Sequence, residues 1–240
     1  MRNVLLIARR ELAAYLRTMS GYVIIAVVLF ADGLAFNFLA LPGPARKSSE
    51  VLGVFFWATS GLTMACAIFL SMRLIAEERQ TGTVSLLYSS PVRDVEIVVG
   101  KFLASLGFLL LFLVSTLYMP ALIAIYGKVS LGHVVSGYFG VTLVGASSLA
   151  IGTFGSALTR SQVVAVVLSA VMCLALTTFH LLAPVTDRPL TEIVMQLSWY
   201  GHFEGFRVGL VHLKDVVYFA LVTFLGLFAA TRVLEARRWR

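Results

Sequence analysis

Six long apolar blocks, at roughly 21–41, 51–72, 102–125, 134–158, 163–184 and 215–234, take up most of this 240-residue chain. Each is close to the ~20 residues that an α-helix needs to cross about 30 Å of hydrocarbon. A helix satisfies its own backbone N–H and C=O groups, which lipid cannot do. The chain is 59% hydrophobic and 13% charged, against about 45–50% apolar and about 25% charged in a typical soluble domain. No soluble fold of this size covers so much apolar surface. The pattern predicts an all-α integral membrane protein with six transmembrane helices, forming a single domain over residues 1–240.

The net charge of +7 does not point to nucleic acid, because the basic residues flank the apolar blocks, where they set orientation. With six spans both termini share a side. That side also holds the segment 73–101 and Arg160, and it carries 13 of the 19 Lys and Arg residues, the opposite side 6. The bias predicts cytoplasmic termini in a cell inner or plasma membrane. The first block exceeds the roughly 7–15 residues of a secretory h-region and reads as a retained span. In residues 1–20, Val4, Leu5, Ala8, Leu12, Tyr15 and Leu16 fall on one helical face and Arg2, Arg9, Arg10 and Arg17 on another. Such a helix suits the membrane interface, with its arginines among lipid phosphates.

The segment 73–101 is patterned too strongly for a connector. Val84, Leu87 and Tyr88 are spaced as one helical face, bracketed by Gly82 and by Ser90-Pro91, since the residue before proline is pushed out of the α region. Asp94 is the expected N-cap of the third span. The segment 185–214 shows Leu190, Ile193, Val194 and Leu197 at helical spacing and then Trp199, Tyr200, Phe203 and Phe206. That predicts one or two short re-entrant or interfacial helices on the outer side before span six. In span four, Ser148, Gly152 and Ser156 form a small-xxx-small stripe that permits close helix approach; packing within the same subunit is its default reading.

The chemistry of an enzyme is not written here. The phosphate-binding pattern G-x-x-x-x-G-K-[ST] is absent: Gly100-Lys101 is followed by Phe102. ATP and Mg, if used, belong to another polypeptide, and no cofactor is expected in this chain. Cys66 and Cys173 sit in apolar blocks as small hydrophobes. Ser147 with His180 superficially suggests an intramembrane Ser–His dyad, but the two lie at different depths. His133, His202 and His212 lack the spacing of a metal site and are expected near the outer surface. Asp32 and Asn37 in span one are candidate pathway-lining residues, because a polar group in hydrocarbon is costly and usually faces a partner, a cavity or a substrate path.

Arg73, the run Ala76-Glu77-Glu78-Arg79, Gly82-Thr83, Leu86-Leu87, Ser89-Ser90-Pro91, Glu96 and Gly100-Lys101-Phe102 resemble the signature of ABC-2 type ABC transporter permeases. Residues 209–239 resemble the subgroup associated with gliding motility. The resemblance implies two permease subunits, paired as a homodimer or with a paralogue, and two cytoplasmic ABC ATPase subunits. It implies a coupling helix at about Thr81 to Ser90, making Glu77, Glu78, Arg79, Gly82, Thr83, Val84, Leu87, Tyr88 and Pro91 the ATPase-coupling residues, and it implies export. An anchoring or mechanical subunit that uses an ATPase without moving a solute is the second reading.

Overall fold

The computed structural model of the chain describes residues 2–41, 47–80, 82, 93–181 and 190–238, and among these there is no strand. The order is α1 (Arg2–Arg17), α2 (Met19–Ala35) running into a π-helical turn (Phe36–Ala40), α3 (Ser48–Ser71), α4 (Ala76–Gln80), α5 (Asp94–Ser115), α6 (Tyr118–Tyr126), α7 (Leu131–Leu158), α8 (Gln162–Thr178) ending in a 3-10 turn (Phe179–Leu181), α9 (Leu190–Leu197), α10 (Trp199–Arg207) and α11 (Leu213–Arg238). Six of these stretches are long and apolar enough to cross a membrane: Gly21–Ala40, Ser48–Gln80, Asp94–Ile125, Leu131–Leu158, Gln162–Leu181 and Leu213–Ala236. The all-α, six-span expectation is therefore met. Residues 81 and 83–92 lie outside the described residues, and with them the coupling positions Thr83, Val84, Leu87, Tyr88 and Pro91.

Span four, α7, is the axis of the bundle. It packs against α11, α3, α8, α5 and α10, and its small residues decide how closely. A Cβ at Gly145 would lie 2.9 Å from Leu109 and from Thr63, and one at Gly226 of α11 would lie 2.9 Å from the Ala150 backbone. Tyr138 meets Phe55 and Phe56 edge to face, with ring centroids 6.4 and 5.4 Å apart, and Phe55 and Phe56 lie tilted to each other at 5.1 Å. Without a solvent hydrophobic effect between helices in lipid, such contacts are what hold the bundle together.

Two local expectations are corrected. The third span is not one rod over 102–125: it begins at Asp94 and breaks at Thr116–Leu117. Pro120 supplies no N–H to the Thr116 carbonyl and its ring would clash there. Met119 N–H takes that carbonyl instead at 3.0 Å, and the Thr116 hydroxyl turns back to Leu113 O at 2.8 Å. The cap of α5 is Arg93 rather than Asp94. The carboxylate that closes this end is Glu96, which accepts the Arg93 N–H at 3.2 Å, the reach-back half of a capping box.

Candidate functional site

The second span does not run straight into the crossing toward the third. Its helix ends at Ser71, the chain turns through 72–75, and α4 starts at Ala76. The first N–H groups of a helix have no partner inside it. Here Ser156, near the end of α7, supplies one: its Oγ accepts the Ile75 N–H at 3.1 Å and the Ala76 N–H at 2.9 Å, and donates to Met72 O at 3.1 Å. That uses one donor and two acceptor positions, the whole capacity of a hydroxyl. One turn earlier, a Cβ on Gly152 would fall 1.9 Å from Ser71 Oγ, so glycine lets α3 close on α7. The stripe Ser148, Gly152, Ser156 thus packs within the chain, with Ser148 donating to Val144 O in its own helix at 2.7 Å.

The charged residues of α4 are fixed from three sides. Arg79 Nη1 donates to Ala157 O at 2.5 Å, a cation at a helix C-terminus, where the helix dipole favours it. Glu77 receives Arg73 through two bonds of 2.8 and 2.9 Å. Glu78 receives Lys101 Nζ at 2.7 Å, and Lys101 also reaches Glu11 of α1 at 3.4 Å. The Lys101 side chain is only 4% exposed, so this cation has exchanged water for two carboxylates from two other elements. Gly100 explains the reach. Its missing side chain admits Ile7 of α1, which a Cβ would meet at 2.9 Å, and Glu11 one turn on is carried to Lys101.

Tyr15 completes the joint. Its hydroxyl lies 3.4 Å from Leu70 O and 3.3 Å from Ser105 Oγ, and burial pushes it up to about 12, so it stays a neutral hydroxyl. A cleft of about 330 Å³ runs between these groups, lined by Glu11, Tyr15, Thr18, Arg73, Glu77, Glu78 and Lys101 among others. The face that α1 turns to α5 is Val4, Ile7, Glu11, Leu12 and Tyr15, whereas Leu5 and Leu16 of the expected apolar face are exposed.

Of the residues singled out by sequence, Glu77, Glu78 and Arg79 thus meet in one network. Gly82 has φ +74°, a left-handed conformation that glycine adopts without steric cost, and it turns the chain just after α4. Sequence reasoning placed Ser156 only in the packing stripe of span four and did not assign Glu11 or a pairing role for Lys101. A lysine about two turns inside α5, at the start of its apolar stretch, was the available signal.

Asp32 and Asn37 are not brought together. Asp32 is 1% exposed and its Oδ1 accepts the Thr59 hydroxyl at 2.9 Å; its Oδ2 is buried without a partner among the described residues. Asn37 faces outward from the bundle. Ser147 donates into its own helix, to Leu143 O at 2.9 Å and Val144 O at 3.0 Å, while the His180 ring bonds Thr177 O and stacks on Tyr200. The two are engaged separately. Among the described residues no three His, Cys, Asp or Glu are grouped to hold a metal ion.

At the far end of the bundle, α10 lies over α3, α7 and α8. A pocket of about 180 Å³ opens there between Trp57, Gly61, Met64, Val144, Thr177, Trp199, Tyr200 and Phe203. The Arg207 guanidinium donates to the Glu204 carboxylate, Nε to Oε2 at 2.9 Å, and that bond raises its already high proton affinity.

Compared with known proteins, the chain finds no match among curated sequences. A family model described as ABC-2 family transporter protein matches residues 7–187. That stretch runs from α1 through the fifth span and takes in the whole Ser156, Lys101, Glu78 network. The chain belongs to the ABC-2 transporter family and is a multi-pass membrane permease component of an ABC transporter.

Proposed function

We propose that this permease forms a translocation path with a second permease subunit, a copy of itself or a paralogue, and exports its substrate. Two cytoplasmic ABC ATPase subunits drive it, holding the ATP and Mg themselves and docking on the segment 81–90 as a coupling helix. The observation that carries the reading is the mounting of α4, the helix that leads into that segment. It is tied to α1, α5 and α7 by Lys101 with Glu78 and Glu11, by Arg79 on Ala157 and by Ser156 on the turn. A push on the coupling helix therefore reaches three elements at once. ATP helps only if it binds two states of the complex unequally, and a stiff mount is what makes the states of the ATPase and of the spans interdependent.

In this proposal the single domain 1–240 has cytoplasmic termini, and α1 lies in the interface with Arg2, Arg9, Arg10 and Arg17 among lipid phosphates. The likeness of 209–239 to gliding-motility permeases falls beyond the matched residues 7–187 and belongs to the proposal. The test is co-purification with the cognate ATPase in nanodiscs. Wild type is expected to retain the ATPase, and the double variant Leu87→Asp, Tyr88→Asp to lose it at least tenfold while eluting as a folded species. Equal retention by both sinks the coupling-helix reading.

Asp32 separates solute transport from a purely mechanical or anchoring role. As a pathway residue, its conversion to Ala abolishes export while ATPase association and ATP turnover stay within about twofold of wild type. Export and assembly both unchanged would remove Asp32 from the path.

A further inference from the structure

The pocket at the far end of the bundle is walled mainly by hydrocarbon and borders one unanswered polar group. Span two contributes Trp57, Gly61 and Met64 to it, α10 contributes Trp199 and Phe203, and Thr177 comes from α8. At Gly61 nothing lies within 4 Å of where a Cβ would stand, so the room of about 180 Å³ continues over the surface of α3. Two hydroxyls on the wall are satisfied within their own helices: Ser60 donates to Trp57 O at 2.7 Å and Thr177 to Cys173 O at 2.8 Å. Trp199 is different. It is 3% exposed and tilts against Phe219 with ring centroids 6.1 Å apart, yet its indole Nε1 finds no acceptor among the described residues.

An indole N–H donates and cannot accept. A buried donor left unmet carries its whole desolvation penalty, and hydrocarbon offers it no water. The occupant that answers it brings an oxygen acceptor together with an apolar body. A second copy of this chain fits poorly, because a helix in lipid uses its own carbonyls internally. The exposed faces of spans five and six present chiefly side chains such as Val167, Val171, Leu221 and Phe224, which bring methyls and rings but no acceptor. Asn37 of span one is an exposed amide that competes, and the test below separates it. An ester-linked lipid has both parts: a chain for the apolar room and, at its head, an ester carbonyl with no donor of its own. Trp57 and Tyr200 line the pocket while 50% and 39% exposed, and such aromatics mark the depth at which headgroups begin.

We propose that the pocket between spans two and five, under α10, holds one acyl chain of an ester-linked membrane lipid whose ester carbonyl accepts from Trp199 Nε1. The bound lipid ties α10 to α3 and α8 through a molecule that is not part of the chain. It is a standing ligand of the fold, distinct from the path assigned to Asp32. That carboxylate meets Thr59 on the buried side of α3, whereas the pocket opens over Gly61 on the exposed side. The inference stands with or without the ATPase contact.

The test is indole ¹H–¹⁵N NMR of the full chain in nanodiscs of a diester phosphatidylcholine and, in parallel, of its diether counterpart with the same chains. Trp199 is assigned by its loss in Trp199→Phe, or by elimination with Trp57→Phe and Trp239→Phe if that variant misfolds. The expected result is a hydrogen-bonded Trp199 N–H in the ester discs and a free one in the ether discs. Native mass spectrometry should show the wild type retaining the ester lipid about fivefold over the ether lipid, the worth of one hydrogen bond. Gly61→Phe, which fills the room, should lose that retained lipid. A Trp199 signal that is the same in both lipids overturns the proposal, and if Asn37→Leu then frees it, the acceptor is the amide of a second copy. Retention unchanged in Gly61→Phe overturns the pocket as the place of binding.

Discussion

Lys101→Met lowers the stability of the folded chain by about 3 kcal/mol, at the lower end of the range for losing one partner of a buried ion pair. The methionine fills much the same space, so the effect is electrostatic. Glu78 and Glu11, whose side chains are 18% and 19% exposed, are left facing one another without their shared cation. Their partial exposure keeps the loss from the upper end. Thermal unfolding in nanodiscs, followed by loss of the monodisperse peak, reads it. Adding Glu78→Gln and Glu11→Gln to Lys101→Met should recover more than half of the loss, because a neutral set leaves no uncompensated charge. A single variant that melts with wild type would mean that the network carries little weight.

Gly152→Ala, one added methyl, costs about 1–3 kcal/mol, the scale of overpacking in a filled interior. The new Cβ would meet Ser71 Oγ at 1.9 Å and Ser71 Cβ at 2.5 Å, so the hydroxyl cannot simply swing away. α3 and α7 must part, and the bonds of Ser156 to the turn loosen with them. Gly61→Ala is the built-in control: nothing lies within 4 Å of its Cβ, and alanine is the better helix former by about 1 kcal/mol. The first variant should melt well below wild type and the second at or above it. Equal melting of the two would show that α3 and α7 separate freely at this point.

The spans were legible because a bilayer imposes one length on every crossing, and hydropathy records length directly. Finer features were lost where the decisive partner is far away in sequence. Glu11 and Lys101 are 90 positions apart, and no periodicity in either helix announces the other. The two-faced pattern of α1 predicts a helix in the membrane interface but does not say which residues meet protein. That is set by the notch at Gly100, a feature of α5, which draws Ile7 and Tyr15 onto protein and leaves Leu5 and Leu16 outside. Pro120 did stand in plain view, but within an apolar block its effect on the Thr116 carbonyl was overridden by the length signal. The Asp94 cap failed for a smaller reason: two carboxylates lie in the first turn, and the one three residues beyond Arg93 has the geometry to reach back.

The break at Thr116–Leu117 has a mechanical consequence. It divides the third span into a long lever, α5, bolted at Lys101 to the α4 mount, and a short separate piece, α6, which sits beside the first span where Gly33 lies 3.7 Å by its would-be Cβ from the Tyr118 hydroxyl. If α4 transmits movement as proposed, a twist entering at Lys101 meets the end of the continuous helix after residue 115. Beyond it α6 is a separate helix beside the first span near Asp32, so under the same proposal the two ends of one span can answer to different inputs.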